Sequence, residues 1–168
     1  LLYLSKLNSK TILLNKQPLD VYAVVAESLR TFKVMTNQKN IDVKIINENQ
    51  EPLIVDAASL TTIVNNLIDN VCTYSQATKL TIKISADNKN KIIQVEDNGI
   101  GIKEEDFTRI FERFFRVDDA RNRSTGGSGL GLSIVKELVE AHDGSIRVES
   151  VENEFTRFTI VLPKLTKS

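Results

Sequence analysis

The feature that most constrains the fold of this chain is an apolar stripe between positions 60 and 72. Its members recur at the i, i+3, i+4 and i+7 spacing of a helix that buries one face against a core. The stripe consists of Leu60, Ile63, Val64, Leu67, Ile68, Val71 and Cys72. Similar spacing predicts a first domain helix over about 20–37 and another that begins near Gly129.

Alternating apolar runs predict strands between and after these helices. They lie at 41–46, 53–55, 80–86, 92–96, 145–149 and 155–162. The sequence Asp87-Asn88-Lys89-Asn90 predicts a hairpin turn, and Gly144 predicts the end of the last helix. Helices segregated against a mixed, largely antiparallel sheet predict an α+β fold of two layers. Leucines before Pro18 indicate the end of an earlier helix, so we expect a stub over 1–16 and one domain over 17–168.

Composition and charge exclude several classes of function. The 168 residues contain 22 Lys and Arg and 22 Asp and Glu, so nothing points to a nucleic-acid partner. No apolar run approaches the ~18 residues that span a bilayer, so we expect a soluble, cytosolic piece. The single Cys72 excludes an internal disulfide, and with the single His142 it makes a zinc site untenable. A start at Leu1 without Met predicts a fragment of a longer parent.

Asn66 and Asn70 form a polar row beside the apolar stripe, because residues four apart share one side of a helix. One interpretation is a solvated helix face. The other is that an amide oxygen ligates Mg²⁺, a hard cation that takes few protein ligands beside phosphate oxygens. Tyr74 falls on the same side and is a candidate for covering a bound nucleotide.

The segment 97–101, Asp-Asn-Gly-Ile-Gly, follows a predicted strand and has two interpretations. It is either a simple turn or a place where Gly99 and Gly101 let backbone approach a ligand. A buried Asp97 would accept a hydrogen bond from the exocyclic amine of adenine but would face the carbonyl oxygen of guanine. Ile102 follows directly.

A second glycine-rich segment, 126–132, precedes and enters a predicted helix, where free N–H groups suit phosphate. A flexible lid is the alternative interpretation. No Gly-Lys-Ser/Thr follows, so the segment is not a P-loop. Arg113, Arg116, Arg121 and Arg123 lie before it and are able to reach a terminal phosphate. Phe107, Phe111, Phe114 and Phe115 are either core or a docking patch, and His142 is assigned a structural role at a helix end.

The order of these segments resembles the catalytic and ATP-binding domain of bacterial sensor histidine kinases, of the Bergerat-fold ATPase superfamily. Positions 66–70 resemble its asparagine box and 97–101 its first glycine box. Positions 111–116 resemble its phenylalanine box and 127–132 its second glycine box. The resemblance implies a mixed five-stranded sheet packed against three main helices, a lid over about 102–128, and a stub of the dimerisation helix before residue 17.

The resemblance also implies roles for individual residues. Asn70 would hold Mg²⁺, Asn66 would lie near the phosphates, and Asp97 would contact adenine with Thr159 behind it through water. The remaining residues implied at the nucleotide are Tyr74, Gly99, Gly101, Ile102, Gly127, Gly129, Leu130, Gly131 and Leu132.

Three positions depart from the family pattern. Thr73 stands where a phosphate-binding lysine is frequent, so Arg116 or nothing replaces that charge. Val71 stands in place of an alanine, and the turn 151–154 lacks the usual glycines, so that hairpin is expected to differ in shape.

By this resemblance the chain would bind ATP with Mg²⁺ and donate its γ-phosphate to a histidine on a dimerisation domain that the fragment lacks. A response regulator would receive the phosphate, and the parent would be dimeric and membrane-anchored, with this domain in the cytoplasm. Two alternatives are an ATP-hydrolysing relative and a degenerate docking module. Hydrolysing relatives carry a glutamate at the position of Asn66, and an amide cannot act as a general base.

Overall fold

The computed structural model describes residues 12–115 and 131–164 of the chain. Its helices are α1 (Val21–Thr31), α2 (Lys33–Gln38), α3 (Ala57–Asn70) and α4 (Gly131–Ala141), with a π-helical turn at Val71–Ser75 and a 3₁₀ turn at Glu104–Asp106. Its strands are β1 (Lys16–Leu19), β2 (Asp42–Asn47), β3 (Leu53–Asp56), β4 (Lys79–Ala86), β5 (Asn90–Asp97), β6 (Ser145–Val151) and β7 (Phe155–Pro163).

The main sheet has five strands in the order β2-β4-β5-β7-β6. The edge strand β2 runs parallel to β4, and the other neighbours are antiparallel. The predicted mixed five-stranded α+β fold is therefore confirmed. The predicted hairpin turn is present as well, since the N–H of Asp87 donates to the carbonyl of Asn90 over 2.9 Å.

One face of the main sheet is buried beneath the helices. Along β5 the residues alternate between buried and half-buried, because successive side chains of a strand point to opposite faces. Helix α3 lies over this face, flanked by α1 and α4. The predicted apolar stripe runs along α3 into the π-helical turn and is at most 3% exposed in all seven members: Leu60, Ile63, Val64, Leu67, Ile68, Val71 and Cys72.

The first part of the domain differs from the sequence prediction. The helix expected over 20–37 breaks at Phe32, whose φ of −96° and ψ of 9° end α1 and precede α2. Pro18 lies in β1, which pairs antiparallel with β3, whereas the pattern had indicated a break after a helix. A two-stranded ribbon tolerates this proline because it lies at a sheet edge. The predicted helical stub falls largely on residues 1–11, outside the described residues, so the boundary at 16/17 stays a prediction.

The end of α4 also differs from the prediction at Gly144. The left-handed residue after the helix is Asp143, with φ of 60°. Gly144 instead donates its N–H to Val139 O over 3.0 Å, and a Cβ there would lie 2.4 Å from the carbonyl oxygen of Val161. Close packing of helix end on strand, rather than a positive φ, therefore requires this glycine.

His142 is structural, as predicted, but it acts as a neutral imidazole. Its Nε2 lies 3.2 Å from the backbone N of Asp56, and a backbone N–H can only donate. Its Nδ1 lies 2.8 Å from the carbonyl of Leu138, so Nδ1 carries the proton. The ring thereby ties the end of α4 to Asp56, which caps the start of α3 by accepting from the N–H of Ser59 over 2.9 Å.

Within the residues that the structure describes, no helix combines the length and apolar character needed to cross a membrane.

Candidate functional site

Asp97 ends β5 on the buried face of the sheet and is only 5% exposed. Its Oδ1 accepts a hydrogen bond from the N–H of Gly99 over 2.8 Å. Among residues 12–115 and 131–164, no other group donates to this carboxylate. A buried ion with one donor leaves its second oxygen available, which is the arrangement that a ligand with an N–H group would complete.

Burial raises the pKa of Asp97 to about 6, because removal from water disfavours the charged form. The Gly99 hydrogen bond opposes this shift, and the neighbouring carboxylate of Glu96 adds to it. Strongly shifted groups are frequent in functional sites, and this carboxylate also ends a strand beside two glycines. Burial and the single donor therefore make Asp97 a candidate binding residue with an oxygen open to a further donor.

The first glycine box, 97–101, is fixed on one side to the π-helical turn that follows α3. The N–H of Ile100 donates to Ser75 O over 2.7 Å, and a Cβ on Gly99 would lie 2.0 Å from that same oxygen. Asn98 adds two bonds, since its Oδ1 accepts from the N–H groups of Thr78 and Lys79 over 2.9 and 2.8 Å. Only glycine at position 99 permits this approach.

The other side of the first glycine box is fixed to the β6–β7 turn. Gly101 has a φ of +75°, and a Cβ there would lie 2.4 Å from Val151 O. The N–H of Asn153 donates to Ile100 O over 2.6 Å, and the N–H of Ile102 donates to Ser150 Oγ over 2.8 Å. In this turn, which lacks glycine, Asn153 takes the left-handed conformation with a φ of 63°.

Asn66 and Gly131 lie next to each other, which joins the asparagine box to the start of α4. The Nδ2 of Asn66 donates to Thr62 O over 2.8 Å, and this contact fixes which way the amide faces. Its Oδ1 would be 3.0 Å from a Cβ added to Gly131. The amide oxygen therefore faces the first described turn of α4, and a side chain at position 131 would crowd it.

Asn70 is the last residue of α3 and is half-buried. Within the described parts of the chain its amide makes no hydrogen bond, so its oxygen is available to a ligand. Tyr74 follows in the π-helical turn and is half-buried, and Thr73 donates to Asp69 Oδ1 over 3.3 Å. A π-turn inside a helix is rare and is frequently found at functional sites.

Thr159 does not lie behind Asp97, contrary to the sequence-based prediction. The β5–β7 register pairs Asp97 with Thr156, while Thr159 pairs with Gln94. Because faces alternate along a strand, Thr159 lies on the sheet face opposite to Asp97. There its hydroxyl accepts a hydrogen bond from Gln94 Nε2 over 3.3 Å. Thr156, 5% exposed, is the threonine that shares the face of Asp97.

The phenylalanine box is divided between core and surface. Phe111 packs edge-on against Phe158 of β7, with ring centroids 6.3 Å apart, and Lys136 of α4 lies over its ring. Phe114 is 66% exposed and has a φ of +66°. The cluster therefore contributes to the core through Phe111 and presents one exposed ring through Phe114.

Other predicted site residues are only partly covered by the structure. Ile102 and Leu132 are half-buried against the core. Arg116, Gly127, Gly129 and Leu130 lie outside the described residues, as do Arg121 and Arg123, so their assigned roles stay predictions.

Sequence reasoning missed Ser75, Asn98, Ser150 and Thr156, which fix or face the first glycine box. Asn98 had a usable signal, because an Asp-Asn pair after a strand is a strong turn former. The two serines and Thr156 had none, since their roles depend on which distant segments of the chain become neighbours in the fold.

The described residues hold no cluster of three His, Cys, Asp or Glu side chains able to bind a metal ion. A divalent ion at Asn70 would therefore depend on oxygens supplied by a ligand, which suits Mg²⁺ bound to a nucleotide.

Comparison with known proteins agrees with this geometry. Over its whole length the chain is 40% identical to the sensor-like histidine kinase SenX3 of Mycobacterium tuberculosis, and it spans 41% of that protein. It is 34% identical to the sensor histidine kinase WalK of Bacillus subtilis, covering 97% of this chain and 27% of WalK.

Solved structures give the same result. The Acinetobacter baumannii histidine kinase AdeS aligns with a TM-score of 0.83 and 27% identity over 98% of this chain and 75% of that one. The mycobacterial sensor histidine kinase MprB aligns with a TM-score of 0.75 and 29% identity over 91% of this chain and all of that one. The resemblance drawn from the four boxes is thus confirmed. A family model matches residues 55–166, more than half of the chain, and the chain belongs to the histidine kinase-, DNA gyrase B- and HSP90-like ATPase family.

Proposed function

We propose that this chain is the ATP-binding catalytic domain of a sensor histidine kinase. It would donate the γ-phosphate of ATP to a histidine on a dimerisation domain of the same parent, for onward transfer to a response regulator. The parent would be a membrane-anchored dimer with this domain in the cytoplasm. The observation that carries the proposal is the fixed amide of Asn66 at a position where hydrolysing relatives use a glutamate.

Asn66 distinguishes phosphate donation from hydrolysis. Its Nδ2 donates a hydrogen bond to Thr62 O, so the group that faces Gly131 is a neutral amide oxygen. An amide has no basicity at neutral pH and cannot activate water by removing a proton. Slow hydrolysis leaves the bound nucleotide for an external acceptor, which favours the kinase over the hydrolysing alternative.

Asp97 would recognise the adenine base of ATP through a hydrogen bond. The free oxygen of this buried carboxylate accepts from an amine, whereas a carbonyl at the same place meets a second acceptor. Gly99, Gly101 and Ile102 form the adjoining backbone, held in place by Ser75 and Ser150.

Asn70 is proposed to hold Mg²⁺, because its amide oxygen is free of partners in the described residues and is a ligand type that this ion accepts. When bound, Mg²⁺ neutralises phosphate charge and orients the terminal phosphate for in-line transfer. Tyr74 adjoins Asn70 and is proposed to cover the nucleotide.

The phosphates are proposed to lie at the start of α4, where N–H groups favour anions. Gly127, Gly129, Leu130, Gly131 and Leu132 are assigned to this segment. Because Thr73 uses its hydroxyl on Asp69 and has no charge, Arg116 is proposed to supply the missing cation.

The acceptor has to come from another domain. His142 is the only histidine of the chain, is 4% exposed, and has both ring nitrogens hydrogen-bonded. It therefore presents no free nitrogen to a phosphate. We therefore expect this chain to bind nucleotide without phosphorylating itself.

Calorimetric titration with Mg-ATP, followed by incubation with labelled ATP and the parent's dimerisation domain, tests the proposal. We expect saturable heat, label on a histidine of the partner, and no label on this chain alone. His142→Ala should keep more binding than Asp97→Asn. Absence of heat at millimolar nucleotide would support the docking module, and phosphate release without labelling of the partner would support the hydrolysing alternative.

A further inference from the structure

Ser150, Thr156 and Asp97 form a row across three neighbouring strands. Ser150 of β6 is directly opposite Thr156 of β7, and Thr156 is directly opposite Asp97 of β5. Directly opposed residues share one face of a sheet, and this is the buried face. The row therefore leads from the β6–β7 hairpin to the carboxylate proposed to read the base.

The hydroxyl of Ser150 makes three contacts, and their chemistry fixes every proton. Its Oγ lies 2.6 Å from Phe155 O, 2.8 Å from the backbone N of Ile102 and 2.9 Å from Thr156 Oγ1. A carbonyl can only accept, so the single proton of Ser150 goes to Phe155. A backbone N–H can only donate, so Ser150 accepts from Ile102, and its remaining lone pair accepts from the hydroxyl of Thr156.

This proton assignment means that the Thr156 hydroxyl can only accept a hydrogen bond on the side that faces Asp97. Its single proton is used by Ser150, and only the lone pairs of its oxygen remain. Side chains directly opposite on antiparallel strands have Cβ atoms about 4.5–5.5 Å apart, so one polar group or water can contact both Thr156 and Asp97. Two acceptors then face the same space, and no donor from residues 12–115 or 131–164 lies between them.

We propose that Ser150 is a positioning residue for base specificity: it holds Thr156 as an acceptor beside Asp97 and fixes the backbone of Ile102 at the end of the first glycine box. An amine with two hydrogens satisfies such a pair, whereas a purine carbonyl at the same place is repelled by it. The inference deepens the proposed function and rests on it.

Removal of the Ser150 hydroxyl tests this role. In Ser150→Ala the Thr156 hydroxyl is free to rotate and to donate, to Asp97 or to a carbonyl. We expect the preference for Mg-ATP over Mg-GTP, measured by competition calorimetry on the 168-residue chain, to fall about tenfold, the size of one misplaced hydrogen bond. Thr156→Val should lose a similar part of the preference, and the double variant should lose no more than either single one.

Matched variants distinguish a specific loss of base preference from a general loss of nucleotide binding. Ser145→Ala, on the exposed start of the same strand, should keep the full preference, and Ser150→Thr, which retains a hydroxyl, should keep most of it. Equal losses for ATP and GTP in Ser150→Ala, or multiplied losses in the double variant, would overturn the inference.

Two further measurements distinguish failure of this inference from a variant that does not fold and from failure of the proposed function. Melting curves followed by circular dichroism report whether each variant folds. If Ser150→Ala does not fold, Thr156→Val decides alone, because an unchanged preference there would show that Thr156 supplies no acceptor. Failure of the unaltered chain to bind Mg-ATP would instead refute the proposed function.

Discussion

The two ends of β5 carry the same dipeptide with opposite electrostatics. Asp87-Asn88 precedes the strand and Asp97-Asn98 ends it, and in both turns the carboxylate accepts from the N–H two residues later over 2.8 Å. At Asp87 a second N–H, that of Asn90, adds a bond of 2.7 Å, and these backbone hydrogen bonds lower the pKa of the exposed carboxyl. At Asp97 burial raises the pKa to about 6.

This difference distinguishes a purely structural turn, at Asp87, from the turn that is proposed to bind a ligand, at Asp97. The Asp87 carboxylate is exposed to solvent and accepts from two backbone donors, so its turn needs no further partner. The Asp97 carboxylate is buried with one donor from the described chain, and the proposed nucleotide would supply another. The same face of β5 also carries Lys91, whose buried ammonium has three partners within 2.8 Å on Asn49 and Glu51. Burial alone therefore does not distinguish the proposed binding residue; its distinguishing feature is burial together with a carboxylate oxygen that has no donor among the described residues.

The largest expected effect is a loss of stability at Gly99 that should not occur at Lys89. Each of these residues lies two positions after the aspartate of its turn. In Gly99→Ala the new Cβ would lie 2.0 Å from Ser75 O, so the turn has to move. We expect a loss of about 3 kcal/mol in the free energy of unfolding, measured by urea denaturation. Lys89→Ala, at the matching position beside Asp87, should change it by less than about 0.5 kcal/mol. Similar losses in both variants would contradict the close approach at Gly99.

The next effect concerns the aspartates themselves. Asp97→Asn keeps the size of the side chain but presents an amide N–H₂ to the pocket, if its oxygen stays on Gly99. We expect the affinity for Mg-ATP to fall about a hundredfold, because a charge-assisted acceptor becomes a donor. Asp87→Asn is the matched control and should bind like the unaltered chain in the same calorimetric titration.

Asp97→Asn should at the same time stabilise the empty domain at neutral pH. The folded pKa of about 6 exceeds the ordinary aspartate value of 3.8, so the folded state holds the proton more tightly and loses stability as the pH rises from about 4 to 6. By linkage the ionised group destabilises the fold by up to about 3 kcal/mol at pH 7. The variant should therefore melt above the unaltered chain at pH 7.5, with a gain that shrinks toward pH 4.

The smallest expected effect is a pH dependence confined to the Asp97 end. As the pH falls through about 6 the carboxylate is protonated and accepts less well. We expect Mg-ATP affinity to fall about tenfold between pH 7.5 and 5, measured by fluorescent-nucleotide competition. Asp97→Asn lacks this titration and reports how much of the change comes from the triphosphate. A loss of equal size in the variant would show that Asp97 is not the group that titrates.

Most of the fold could be predicted from local patterns, because the periodicity of a helix or a strand is visible in consecutive residues. The stripe of α3 and the alternation of β4 and β5 needed no knowledge of neighbours. Strand β1 was missed because its pairing with β3 joins segments about 40 residues apart in sequence. The break at Phe32 was missed because an unbroken apolar spacing ran through it.

The site was predictable as a set of segments but not as a set of contacts. Asn66 and the segment of Gly131 were each expected near the phosphates, and the structure places the two residues next to each other. Thr159 was placed wrongly, because its face depends on the β5–β7 register and a shift of three residues changes the face. Ser150 carried no pattern of its own, since its partners come from β7 and from Ile102 at the end of the first glycine box.

The unfilled position at Asp97 also has a calorimetric consequence. Near pH 6 about half of the empty molecules carry a proton on this carboxyl, by the definition of the pKa. A ligand that requires the ionised form expels that proton into the buffer, so the heat of each injection includes the buffer's own heat of protonation. Titrations in two buffers of different ionisation enthalpy would count the released protons directly and identify the residue that releases them through Asp97→Asn.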